Sequence, residues 1–103
     1  MASILESCEG FDWDEGNTRK NWYRHRVTDE ESEEVFSNLP IIISRDSSHS
    51  EEEVRYAARG TTNTDRRLTV VFTIRARRIR VISARDMTRN EHRIYEEKVK
   101  RDP

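Results

Sequence analysis

Between Arg75 and Arg93 the chain carries seven arginines and only two acidic residues, Asp86 and Glu91. A guanidinium presents a planar fork of donors that matches phosphate oxygens, so such a segment suits a phosphodiester partner. Two or three of these groups on one phosphate would bind an RNA or DNA backbone. They would equally stabilise the extra negative charge of a phosphoryl-transfer transition state. Arg55 and Arg59, four residues apart in an alternating segment, share one face of a strand, and Arg80 joins them if the register permits. Arg89 and Arg93 come from the first turns of a helix, near its positive end. His25, inside Arg24-His25-Arg26, is the natural proton-transfer candidate by residue type, although a histidine in a last helical turn also serves as a dipole partner. Glu91 is either a general base or a helix cap. Tyr95, one turn later, either stacks on a base or packs as a half-buried wedge. The plain alternative for the arginines is a solvated sheet face that guards against edge-to-edge pairing.

Other chemistries find little support. His25, His49 and His92 are scattered without helical pairing, so no zinc site is expected. There is no Gly-rich phosphate loop, no G-x-S-x-G and no carboxylate pair at metal spacing, and no cofactor is expected. Cys8 is the single cysteine, which excludes a disulfide framework and points to the cytoplasm. The opening MASILESCEG lacks a basic n-region and a long apolar run, and no stretch approaches the ~20 apolar residues of a membrane helix.

The elements that must position these groups follow from periodicity and capping. Residues 1–10 read as a flexible leader and residues 11–103 as one domain. Phe11-Asp-Trp13 alternates as a short edge strand with both aromatics on one face. Asp14 is placed to cap a helix running through His25, and Val27-Thr28 breaks it. Thr28-Asp-Glu-Glu31 is a capping box that starts an acidic helix burying Val35, Phe36 and Leu39. Its acidic first turn also favours the helix dipole, which makes part of the acidic run structural. Pro40 ends that helix, Ile41–Ile43 reads as a strand, and Ser44–Glu52 reads as a polar loop. In the next strand Val54, Tyr56 and Ala58 oppose Arg55, Ala57 and Arg59. Residues 60–65 are turn chemistry, Leu68–Ile74 is a strand, and Arg75–Arg77 is a tight reversal. In the strand from Arg78, alternation sets Ile79, Val81 and Ser83 against Arg80, Ile82 and Ala84. Thr88-Arg-Asn-Glu91 is a second capping box, opening a helix from Arg89 to Lys100 with Ile94 and Val99 facing inward. The fold class is therefore α+β. An antiparallel meander of three to four strands, plus the short N-terminal strand, is packed by two N-terminal helices and one C-terminal helix.

With 103 residues, 38% of them charged, and a mean hydropathy of -1.00, the core must be thin, leaving room for a partner to supply part of the burial. The net charge of -1 hides an asymmetry. Residues 28–53 carry nine acidic groups against one arginine, while residues 54–93 carry eleven arginines against three acids. A dipolar molecule of that kind draws a polyanion to one side only.

Several short motifs in order resemble the BrnT family, the ribonuclease toxins of a bacterial type II toxin–antitoxin system. Phe11-x-Trp13-Asp14 opens a helix, Asn21 and His25 lie within it, and Val27 closes it. The acidic helix ends in Val35-Phe36, and Arg80-Val-Ile-Ser-Ala-Arg85 precedes Thr88-Arg89-x-Glu91 and Tyr95-Glu96. The resemblance implies a RelE-like fold and an endoribonuclease that arrests translation without a metal, the RNA 2′-hydroxyl acting as nucleophile and leaving a cyclic phosphate. It also implies a BrnA-like antitoxin with a ribbon-helix-helix-like DNA-binding part, through which alone operator DNA is contacted. Carried onto this chain, the expected catalytic residues are His25, Arg80, Arg85 and Glu91. The expected RNA-binding residues are Arg55, Ser83 and Arg89 from the resemblance, joined by Arg59 and Tyr95 from the arginine cluster and the last helix. Two positions depart from the family pattern: Asn17 stands where a lysine is usual, and Arg26 replaces a glycine before Val27. Loss of that lysine and of an easy left-handed cap keeps open a second reading, a catalytically weakened module that still binds antitoxin or nucleic acid.

Overall fold

A computed structural model describes residues 3–46 and 53–101. Helix α1 (Glu15–His25) starts where the Asp14 carboxylate accepts a hydrogen bond from the Gly16 amide at 2.7 Å. Helix α2 (Asp29–Ser37) carries the expected capping box, with Thr28 and Glu31 serving each other's backbone amides. Strands β1 (Ile42–Asp46), β2 (Arg55–Thr61), β3 (Arg67–Arg75) and β4 (Arg78–Asp86) form one antiparallel sheet in that order. Helix α3 (Arg89–Arg101) closes the chain, again on a capping box between Thr88 and Glu91.

The core lies between the sheet and the two N-terminal helices. Val27 and Val35 meet Ala58, Leu68, Val70, Phe72, Ile79, Val81 and Ala84, all buried. An aromatic run from Phe11 through Phe36 and Phe72 to Tyr56, at centroid spacings of 5.5, 5.1 and 5.4 Å, crosses this layer. Helix α2 sits so close to β2 that a Cβ on Gly60 would lie 3.1 Å from the Val35 Cγ1, which explains a glycine near the end of that strand.

Helix α1 contributes almost nothing apolar; its one buried residue is Asn21. It is stitched to the free edge of β4 by amides instead. Asn21 Oδ1 accepts from the Ala84 amide at 3.1 Å, and Asn17 Nδ2 donates to the Val81 carbonyl at 3.3 Å. Further along the same edge, Ile79 donates to the Gly10 carbonyl and accepts from the Asp12 amide. These contacts occupy edge groups that would otherwise template pairing with another chain. Asn17 thus has a structural task of its own. The other departure from the family pattern, Arg26, takes the left-handed cap without glycine, at φ 55°. Its guanidinium lies 5.2 Å from the Trp22 ring centre.

Several expectations shift. Phe11 makes a single parallel bridge to Ile79 rather than a strand, because Asp14 begins the helix almost at once. Part of the expected loose leader is packed: a 3₁₀ turn at Ser3–Leu5 brings Ile4, Leu5 and Cys8 against the core. Strand β1 begins at Ile42 and runs on through Ser44, Arg45 and Asp46, since ladder bonds to β2 outweigh the polar side chains. The rest of the expected loop, with His49, lies outside the described residues. Leu39 is 84% exposed, beyond the last turn of α2. In α3 it is Tyr95, not Ile94, that faces inward; Ile94 is 39% exposed and Tyr95 only 2%.

The largest departure is in β4. Val71 pairs with Ser83 but Phe72 pairs with Val81, leaving Ile82 as an extra, bulged residue. Strict alternation would keep Ser83 and Arg85 on the side of Ile79 and Val81. The bulge moves both to the other face and puts Ala84 in the core.

Candidate active site

The face of the sheet away from α1 and α2 carries the arginines. Across it, Arg59 of β2, Thr69 of β3 and Arg85 of β4 are register partners in one row. The start of α3 hangs over this row because the Thr88 capping box begins two residues after β4 ends. Its Glu91 reaches down between the two guanidiniums. Arg85 grips the carboxylate with both terminal nitrogens, at 2.6 and 3.1 Å, and Arg59 donates to it at 3.1 Å. The Thr88 amide adds a fourth hydrogen bond at 2.8 Å. Burial pushes the Glu91 carboxyl up, but hydrogen bonds from Arg85, the Thr88 amide and Arg59 outweigh it and hold it at about 2. The same pairing raises the pKa of Arg85 further. Thr69, 1% exposed, lies on the floor of this row with a hydroxyl that has no partner.

Arg59, Arg85 and Glu91 are therefore brought together, two strands and a helix N-terminus meeting at one point. Glu91 is both cap and ion-pair partner. Held at about 2, it is too weak a base for neutral pH while so paired. Ser83 is half-buried on the same face, one row away, opposite Val71. Arg89 is exposed in the first turn of α3.

Arg80 does not join them. It faces the same side of the sheet but turns to the chain edge, 2.9 Å from Asp14 and 3.7 Å from Asp12. There it pins the segment leading into α1. Arg55 lies four residues before Arg59, about 13 Å along the strand, and has a buried Nε without a partner. Tyr95, expected to touch RNA, is buried: its hydroxyl donates to the Pro40 carbonyl at 2.6 Å, and the Arg67 guanidinium lies 5.5 Å from its ring centre. Arg67 also pairs with Glu96. These contacts dock α3, which explains why Tyr95 is wedge rather than stacking platform.

His25 ends α1, and none of the hydrogen bonds on Glu91 comes from it. It is close enough to Asp86 to help, after Arg66, in lowering that carboxyl. Its surroundings are organised by Arg66, a residue that no sequence motif singled out. Arg66 donates to the carbonyls of His25 and Arg26 at 3.0 and 2.7 Å, to Glu31 at 3.1 Å and to Asp86 at 2.8 Å. It closes the C-terminus of α1, the cap of α2 and the end of β4 around one guanidinium. Thr69 was missed for a similar reason: a threonine in a strand carries no signal until the register is known.

Among the described residues the acidic run is largely consumed by structure. Glu33 accepts from the Trp13 indole, Glu34 from the Asn63 amide, Asp29 from Thr18 and Glu31 from Arg66. Among the described residues no group of three His, Cys, Asp or Glu could hold a metal ion, and no helix is long and apolar enough to cross a membrane.

A four-stranded meander with α1 and α2 on one face, and on the other α3 over a centre in which two arginines hold one carboxylate, defines a small α+β protein. The same fold occurs in the crystal structure of the Brucella abortus ribonuclease toxin BrnT. That structure aligns with a TM-score of 0.56 at 20% identity, covering 78% of this chain and 97% of the Brucella chain. Among curated proteins no sequence matches significantly. The sequence pattern of the family described as the ribonuclease toxin, BrnT, of type II toxin-antitoxin system matches residues 13–91. The chain belongs to the BrnT toxin family.

Proposed function

We propose that the protein is a metal-independent endoribonuclease toxin whose phosphodiester sits at the Arg59–Arg85 corner. The reading is carried by one observation: guanidiniums from β2 and β4 converge on a single oxyanion, the Glu91 carboxylate. In the proposed reaction the 2′-oxygen attacks phosphorus and the 5′-oxygen leaves, giving a 2′,3′-cyclic phosphate. A base removes the 2′-hydroxyl proton and an acid supplies one to the departing 5′-oxygen. Arg85 and Arg59 neutralise the dianionic charge that builds on the phosphorane, the role a metal would otherwise fill. His25 is the candidate for the proton steps, and Arg89 extends the cationic surface toward the flanking RNA. A BrnA-like, DNA-binding antitoxin neutralises the toxin in the cytoplasm and alone contacts operator DNA.

Incubation of the pure protein with single-stranded RNA and a chelator tests this. Fragments with cyclic-phosphate ends are expected; intact RNA, or cleavage that stops when metals are removed, contradicts it. A second reading, a binding module with weakened activity, is favoured by Asn17, whose amide is spent on the Val81 carbonyl where the family usually offers a cation. RNA that is bound but not cut would select that reading.

A further inference from the structure

Glu91 occupies its site the way a substrate oxyanion would. Its two oxygens receive a forked guanidinium, a second guanidinium and a backbone amide, the donor set that binds phosphate elsewhere in proteins. The floor beneath holds the buried, unpartnered Thr69 hydroxyl, the register partner of both arginines. A buried hydroxyl without a partner is costly, and here it is one donor more than the carboxylate uses. We propose that Arg59, Arg85, the Thr88 amide and the Thr69 hydroxyl form a phosphate cradle that Glu91 fills as a stand-in when no ligand is bound.

The inference rests on the ribonuclease reading for its substrate and refines it: RNA binds by exchange, its phosphodiester displacing the carboxylate. The exchange is close to neutral in charge, one monoanion for another between the same two cations. The element carrying Glu91 can yield, because α3 buries only Tyr95 and is otherwise tied down by the Tyr95–Pro40 hydrogen bond and the Arg67–Glu96 pair. Glu91 then acts as an internal competitor for the cradle. The cost of expelling it lowers apparent affinity by the fraction of molecules whose cradle is open.

Titration of the full chain with inorganic phosphate, followed through the Thr88 and Glu91 amide resonances, reads this directly. Glu91→Gln removes the competing charge and should bind phosphate about tenfold more tightly or better. Thr69→Val should bind several-fold more weakly with an unchanged or raised Tm, which a merely structural threonine would not do. A third readout needs no variant: phosphate should shift the Glu91 carboxyl titration upward, toward an ordinary glutamate, as the ligand excludes it. Phosphate binding that is no tighter in Glu91→Gln overturns the proposal, as does a Glu91 midpoint that saturating phosphate leaves in place. RNA cleavage is scored in parallel. Cleavage by the unaltered protein with no phosphate exchange sinks the cradle but spares the ribonuclease. Exchange without cleavage does the reverse.

Discussion

Replacing Arg66 by methionine is the sharpest test of how this thin fold is held. The side chain is 26% exposed and makes charged hydrogen bonds to two backbone carbonyls, His25 and Arg26, and to two carboxylates, Glu31 and Asp86. A hydrogen bond to a charged group contributes about 1.5–3 kcal/mol, and exposure discounts the carboxylate pairs. Methionine retains the apolar stem but leaves both carbonyls without this donor, and Glu31 with only its capping contacts to Thr28. A loss of about 3–4 kcal/mol is expected at pH 7, which for a chain of this size lowers Tm by at least ~12 °C. The pH dependence supplies an internal check. Arg66 helps hold Asp86 and Glu31 below their ordinary values, so its stabilisation is present above the carboxylate range and fades as pH falls through it. The penalty of Arg66→Met should therefore shrink on acidification. Urea denaturation at pH 7 and pH 3 measures both. A penalty under about 1 kcal/mol, or one independent of pH, would refute the reasoning.

Three further outcomes are expected. Lowering the pH from the ordinary glutamate value of 4.5 through about 2 protonates Glu91 and removes stability worth at most about 3 kcal/mol; denaturation midpoints across that window should flatten in Glu91→Gln. Ala76 and Arg77 form the two-residue β3–β4 turn at φ 49° and 65°, so Ala76→Asn with Arg77→Gly should stabilise by about 1–2 kcal/mol in thermal unfolding. Asn21→Ala leaves the Ala84 amide without its acceptor; it should cost about 1–3 kcal/mol and speed hydrogen exchange at Ala84 above its neighbours.

What could be read from the residues was whatever is decided locally. The capping boxes at Thr28 and Thr88 act over four residues, and both form as their spacing requires. Alternation with turn chemistry was enough for the meander and for Arg55 and Arg59 on one face. The face of Arg85 was not legible. It depends on the Ile82 bulge, a product of pairing with β3 that no β4 residue announces. Arg80 and Arg85 look equivalent in sequence, yet Asp12 and Asp14 claim the first because the chain before α1 runs beside Ile79. Tyr95 and Arg66 show the same limit: each is fixed by partners 55 and 20 to 41 residues away in the chain. In α3 Ile94 is the more apolar residue, yet the docking of Tyr95 on Pro40 takes the buried position.

The comparison of Arg85→Ala with Arg80→Ala in single-turnover RNA cleavage, both variants verified as folded, tests the arginine corner most directly. Arg85→Ala should lose at least ~100-fold, the scale of a transition-state donor, while Arg80→Ala should lose less than ~10-fold. Undiminished cleavage by Arg85→Ala, or its abolition in a folded Arg80→Ala, would place the chemistry elsewhere on the sheet.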